Sequence, residues 1–279
     1  AFIADRLPPS QLGKGFLAQS FFTGLGITLA NVSLFVFQSL IMGATAAGIP
    51  YWVVGSFMLG SVCSIGTVLV SVITTPELPP SESELAALKA KKSEGNQAWG
   101  TLKEIWDAIV EMPVELRKLA LVYLFQWYAM NCYWQYVALT VADTLFDTTD
   151  TQSPQYKEAV AWTGLVNGFY NIVTFSVAFS LVSLARRRGA KWVHMVCLLC
   201  AAVGLMIFPH ITDKYLIFLP LIGLGIAWAS INGVPYIMAV RMVPSSRYGV
   251  YMGVINMMIV IPMLIQTLTF GHVYNLMGG

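Results

Sequence analysis

The chain has 279 residues, of which 57% are hydrophobic and only 11% charged, with a formal net charge of +2. A soluble domain carries near 25% charged residues, so this balance excludes a soluble globular fold and points to a membrane protein. A net charge so close to zero gives no reason to expect a nucleic-acid partner.

Residues 1–14 hold Asp5, Arg6 and Lys14 and open on Ala1-Phe2-Ile3-Ala4, which reads as the tail of a helix begun outside the chain. Between Lys14 and Glu77 lie 62 residues without a charge. A spanning helix needs about 20 apolar residues, so this stretch predicts two spans, 16–42 and 50–74, with a turn near Gly43 to Pro50. Residues 75–117 are the longest polar stretch. Pro76 to Asn96, rich in Pro, Ser, Glu, Lys and Ala, reads as a linker. An amphipathic helix over 97–111 follows. It sets Trp99, Leu102, Ile105, Trp106 and Ile109 against Lys103, Glu104, Asp107 and Glu111, and Pro113 ends it. Such a helix suits the membrane interface, or the protein's own cytoplasmic face.

Further uncharged runs lie between Lys118 and Asp143, Glu158 and Arg186, Lys191 and Asp213, and Lys214 and Arg241, and after Arg247. They predict spans at 118–141, 159–184, 192–209, 215–240 and 249–274. The result is an all-α polytopic bundle of about seven spans, since lipid leaves no partner for an open strand edge. Fourteen Lys and Arg residues then fall on one side and only Lys157 and Lys214 on the other. The basic side is therefore cytoplasmic. Cys63, Cys132, Cys197 and Cys200 fall inside spans, so no disulfide framework is implied. There is no HExxH, GxSxG or GxGxxG, hence no expectation of an enzyme, a metal or a cofactor.

Polar side chains within spans are costly and usually have a purpose. Trp127, Asn131, Trp134 and Gln135 fall at i, i+4, i+7 and i+8, and so share one helix face. Trp228, Asn232, Pro235 and Tyr236 repeat that spacing. Asn167 and Asn171 are one turn apart, and Gln19 and Asn256 add amides from two further spans. Amides donate and accept at once, and aromatic rings offer a flat apolar surface. Such a wall suits a neutral polyol, with helix-to-helix bonding as the alternative role for each amide. Gly164 and Gly168 form a GxxxG, and Gly24, Gly26, Gly223 and Gly225 lie in other spans; the expected role of all six is close helix contact. Pro235 and Pro262 are expected to bend their spans. No Asp or Glu lies in a span core, and His194, His210 and His272 fall near predicted span ends.

Two features organise the chain into halves. The first is the polar stretch at 75–117. The second is an internal match of Ile3-Ala4-Asp5-Arg6-Leu7-Pro8-Pro9-Ser10 with Met238-Ala239-Val240-Arg241-Met242-Val243-Pro244-Ser245. Repeated halves in one orientation resemble the two six-helix halves of major facilitator transporters. On that count the spans are helices 5 to 11 of twelve, with helices 1–4 and 12 outside the chain. Residues 1–74 close an N-terminal bundle and 118–279 form a C-terminal one. With those helices absent, the polar walls are expected to face lipid.

The string Gly225-Ile226-Ala227-Trp228-Ala229-Ser230, with Pro235-Tyr236 and Gly249-Val250-Tyr251-Met252-Gly253, resembles helices 10 and 11 of bacterial sugar–cation symporters. These are relatives of plant sucrose transporters and of the glycoside–pentoside–hexuronide symporter group. Phe125-Gln126-Trp127 with Trp134-Gln135-Tyr136 is similar to helix 7 of the bacterial members. Leu145-Phe146-Asp147-Thr148 resembles a short string after helix 7 of the plant proteins, and Ala4-Asp5 the end of a helix 4 motif. The resemblance implies proton-coupled (or sodium-coupled) symport of a disaccharide such as sucrose or maltose, by alternating access, in the bacterial cytoplasmic membrane. It places the coupling acid and arginine before Ala1. Arg186, Arg187 and Arg188 sit where the superfamily has a basic gating motif, without its acidic partner. The alternatives are a transporter of another small solute and a membrane sensor that transports nothing.

Overall fold

A computed structural model describes residues 12–75, 82, 85–86, 97–243 and 248–276. Its long helices are α1 (Leu12–Leu40), α2 (Tyr51–Thr74), α3 (Gln97–Val110), α4 (Val114–Phe146), α5 (Pro154–Arg188), α6 (Ala190–Ile207), α7 (Phe218–Met242) and α8 (Tyr248–Leu276). The internal match at 3–10 and most of the linker at 76–96 lie outside the described residues, as do Pro244 and Ser245.

Six of these helices are long and apolar enough to cross a membrane: α1, α2 and α5 to α8. The seventh expected span, α4, is long enough at 33 residues but not apolar enough to stand among the six. Gln126, Asn131 and Gln135, with four Tyr and two Trp residues, dilute its hydrocarbon character. The helix richest in candidate site residues is therefore the one that reads worst as a span. It packs against α5 and α8.

Close packing follows the glycines. A Cβ on Gly164 would stand 2.6 Å from the Asn31 carbonyl oxygen, and one on Gly168 3.1 Å from Val32. The GxxxG of α5 is thus the seat of α1. Gly204 of α6 meets the Pro220 carbonyl, and Gly223 of α7 meets that of Cys200. Gly225 faces Tyr170 and Val173 of α5 instead. Residues two apart on a helix point about 200° apart, so this pair fastens α7 to neighbours on opposite sides. α2 touches α1 near Gly55 and buries only Trp52. A helix apolar on all sides belongs in lipid.

α3 differs from its expected two-faced form. Ala108 is buried and Ile105 and Ile109 are half-buried, where the helix packs against α8. Leu102 and Trp106 are 58% and 65% exposed. The apolar face divides between the protein and the surroundings, and both expected roles share one helix. The Trp99 side chain lies outside the described residues.

The loops are short and capped. Asp147 closes α4 in the left-handed conformation, and Ser153 caps α5 by accepting the Tyr156 N–H at 3.1 Å, ahead of Pro154. Asp213 accepts the N–H groups of Leu216 (2.9 Å) and Tyr215 (2.8 Å), and these bonds hold its carboxyl below the usual carboxylate range. The Lys214 ammonium sits 4.1 Å over the Phe146 ring and 3.5 Å from Glu158. α5 passes to α6 through Gly189 alone, at φ +92°, a conformation that disfavours a side chain.

Candidate functional site

Trp127 and Trp134 are two turns apart on α4, and Trp228 of α7 packs edge-on against both. The ring centroids are 5.8 Å apart for Trp127–Trp228, 5.3 Å for Trp134–Trp228 and 6.3 Å for Trp127–Trp134. Edge-to-face contacts suit the ring quadrupoles. α5 completes the group. Trp134 Nε1 donates to the Tyr170 hydroxyl (3.3 Å), and the Tyr133 hydroxyl donates to Asn167 Oδ1 (2.9 Å). Asn171, one turn further, is fully buried. Its Nδ2 donates to the Asn167 carbonyl at 2.9 Å, and its Oδ1 has no partner among the described residues.

The amides of α4 part company with its tryptophans. At about 100° per residue, Asn131 and Gln135 stand roughly 40° and 80° round from Trp127, while Trp134 lies about 20° to the other side. That offset turns the amides toward α8. Asn131 Nδ2 donates to Gln266 Oε1 and to the Met263 carbonyl (3.2 Å), and Gln266 Nε2 donates to Gln135 Oε1 (3.1 Å). The single face expected from spacing is therefore two adjacent faces, aromatic toward α7 and amide toward α8. Gln266 is fully buried. Replacing it with Leu removes one of the Asn131 bonds and the donor to Gln135, leaves Asn131 its bonds to the Met263 carbonyl and Thr267 (3.3 Å), and is expected to cost about 0.5–1.5 kcal/mol of stability. Thermal unfolding of Gln266→Leu, Asn131→Leu and the double variant checks this. The double variant should lose less than the two singles added together.

The remaining candidates are placed as follows. Asn232 Nδ2 bonds the Trp228 carbonyl of its own helix at 2.9 Å, and Tyr236 is half-buried. Asn256 is exposed and is not brought to the cluster. Pro235 and Pro262 are buried, and α7 and α8 run on through them. Arg187 and Arg188 are exposed at the end of α5; the side chains of Arg186 and Gln19 lie outside the described residues. The expectation of walls open to lipid fails for part of them, while Gln135 and Asn256 are exposed. Trp127, Asn131, Asn171 and Trp228 are all buried, because α4, α5, α7 and α8 turn them inward against one another.

Two groups of residues escaped the sequence reading, Tyr123 and Gln126 beside the candidate Trp127, and His194. Tyr123, Gln126 and Trp127 fall at i, i+3 and i+4, one face of one turn. Their hydroxyl, Nε2 and Nε1 are buried and have no partner among the described residues. Buried polar atoms are nearly always bonded, so three on one turn mark a place for an oxygen acceptor. That spacing was readable in advance. The second group is His194, placed near a span end by sequence but buried in the structure. Its Nδ1 lies 2.9 Å from Ser230 Oγ and its Nε2 3.1 Å from Gln126 Oε1. These partners are 36 and 68 residues away, and no local signal announces them.

Buried aromatic and amide side chains held among membrane-length helices define a polytopic helical membrane protein with a polar interior. Residues 1–267 match the family model of the Major Facilitator Superfamily; the chain belongs to that family, one of small-molecule transporters generally rather than enzymes. Comparisons with curated proteins and with solved structures gave no match.

Proposed function

We propose that this transporter carries a sugar, a disaccharide such as sucrose or maltose, by proton-coupled symport across the bacterial cytoplasmic membrane. Residues 1–74 belong to one bundle and 118–279 to the other. The basic linker side faces the cytoplasm, and the solute is exposed alternately to the two sides. The observation that carries the reading is the cluster of Trp127, Trp134 and Trp228 beside Tyr123, Gln126 and Asn171, which offers stacking surface and unpaired polar atoms. No Asp, Glu, Lys or Arg occurs between Lys118 and Asp143, between Glu158 and Arg186, or between Lys214 and Arg241. A wall without charge favours a neutral solute, and sugar hydroxyls meet the donors while C–H faces meet the rings.

Uptake of radiolabelled sucrose and maltose by cells expressing the complete transporter, with and without a protonophore, tests this. Uptake of one of them should collapse when the proton gradient does. No uptake of either by well-inserted protein removes the disaccharide; uptake indifferent to the protonophore removes proton coupling.

A further inference from the structure

We infer that His194 is a proton-binding site of this transporter, held between α4, α6 and α7 and joined to the tryptophan cluster through Gln126. The inference rests on the proton-coupled reading above.

His194 lies within the apolar span Ala190–His210 and is 4% exposed, whereas His210 and His272 are exposed. Histidine changes charge near neutral pH, which no other ordinary side chain does, and an ionisable group inside a membrane bundle usually has a function. The hydrogen bonds fix its neutral form. Gln126 Oε1 only accepts, so Nε2 carries the ring proton and donates it; Nδ1 then accepts from the Ser230 hydroxyl. Protonation adds a proton from water to the Nδ1 lone pair. Nδ1–H must then donate, and Ser230 Oγ must turn from donor to acceptor. The reverse step returns that proton to water on the other side and restores the starting bonds.

Among the described residues the surroundings supply no standing charge. Cys197 of α6 also reaches Ser230, Tyr123 lies one turn before Gln126 on α4, Tyr236 lies on α7, and Tyr170 of α5 stands beyond the tryptophans. All four are neutral at pH 7 by their ordinary values. The fixed charges of the adjoining helix ends, Glu115, Lys118, Arg187, Arg188 and Lys191, are exposed. A proton gained at His194 is therefore uncompensated within the packed bundle and favours a rearrangement.

The means of transmission is short. Gln126 precedes Trp127, and Ser230 follows Trp228 by two residues, so both partners of the imidazole sit on the helices that carry the ring cluster. Gln126 Oε1 accepts from His194 Nε2 in both states and anchors the ring to the turn of α4 that carries Trp127. The bond that reverses on protonation is the one to Ser230, on the turn of α7 that carries Trp228.

The test uses the complete transporter in lipid nanodiscs and proteoliposomes. Histidine ring NMR, with His194 assigned by the signal lost in His194→Gln, needs no solute. The doubly protonated ring should appear as the pH is lowered from about 8 to about 4. A ring that stays neutral throughout overturns the proposal, whichever solute is carried. For the sugar that the uptake assay identifies, His194→Gln with an unchanged melting temperature should lose acid-driven uptake about 10-fold or more, against a barrier near 1.4 kcal/mol for each factor of ten. Uptake with the unaltered pH profile contradicts the proposal. If that variant fails to fold, Ser230→Ala serves instead. It should move the midpoint of the pH profile by about half a unit or more, since the charged ring loses its acceptor, and an unmoved midpoint also overturns the assignment.

Discussion

Trp127→Ala abolishes solute uptake in the complete transporter while leaving membrane insertion intact, and Trp127→Phe lowers apparent solute affinity about 10-fold at a far smaller cost in stability than Ala. The two variants separate packing from recognition. Trp127 is 8% exposed and touches Trp134, Trp228 and Tyr123 through ring contacts. Truncation to Ala therefore opens a cavity as well as removing a contact, at a cost of about 3–5 kcal/mol. Phe keeps most of the ring area and removes the Nε1–H. That donor has no partner among the described residues, so a packing role alone predicts that its removal is neutral or stabilising. A role in holding a sugar hydroxyl predicts a loss of about one hydrogen bond, near 1.4 kcal/mol, or tenfold in affinity. Concentration-dependent uptake beside a melting curve checks both variants. Unchanged affinity in Trp127→Phe removes the indole N–H from the site.

Gly225→Leu is expected to prevent the bundle from assembling. A Cβ there would stand 2.5 Å from the Tyr170 carbonyl oxygen and 2.6 Å from the Val173 Cβ. Neither neighbour is the mobile end of a side chain, so α5 and α7 must separate. Tyr170 also receives the Trp134 N–H, so the same displacement pulls apart the site. Overpacking costs about 1–3 kcal/mol in forgiving cores, and against backbone the upper part of that range or more is expected. Gly233→Ala on the same helix is the control, because nothing lies within 4 Å of its Cβ. It should gain up to about 1 kcal/mol, the usual difference between Gly and Ala in a helix. Monodispersity after detergent extraction, with a melting curve, distinguishes the two. Equal behaviour would mean that α5 and α7 are not packed at Gly225.

Charge gaps located the helices well because charge is what lipid excludes. The spans expected at 50–74 and 249–274 are the helices 51–74 and 248–276. The expected spans at 118–141 and 159–184 fall short of α4 and α5, because Glu115, Arg117, Lys118 and Asp143 on one helix, and Lys157, Glu158 and Arg186–Arg188 on the other, continue the helices beyond the apolar core. The tryptophans were legible from spacing within a single helix. The partner of the α4 amides was not, since Gln266 stands 131 and 135 residues away from Gln135 and Asn131. Nor was His194. Its place near the start of α6 resembles a span end until α4 and α7 are packed over it.

The most direct measurement is entrance counterflow in proteoliposomes holding the complete transporter. Vesicles loaded with unlabelled sucrose, or with unlabelled maltose, are diluted into a trace of the same sugar carrying a radiolabel. Counterflow needs alternating access and a solute site but no ion gradient. For one of the two sugars, the label should accumulate transiently above its equilibrium level, and Trp127→Ala should abolish that overshoot. A flat trace for both sugars with well-incorporated protein would contradict the assignment of this aromatic wall to a disaccharide.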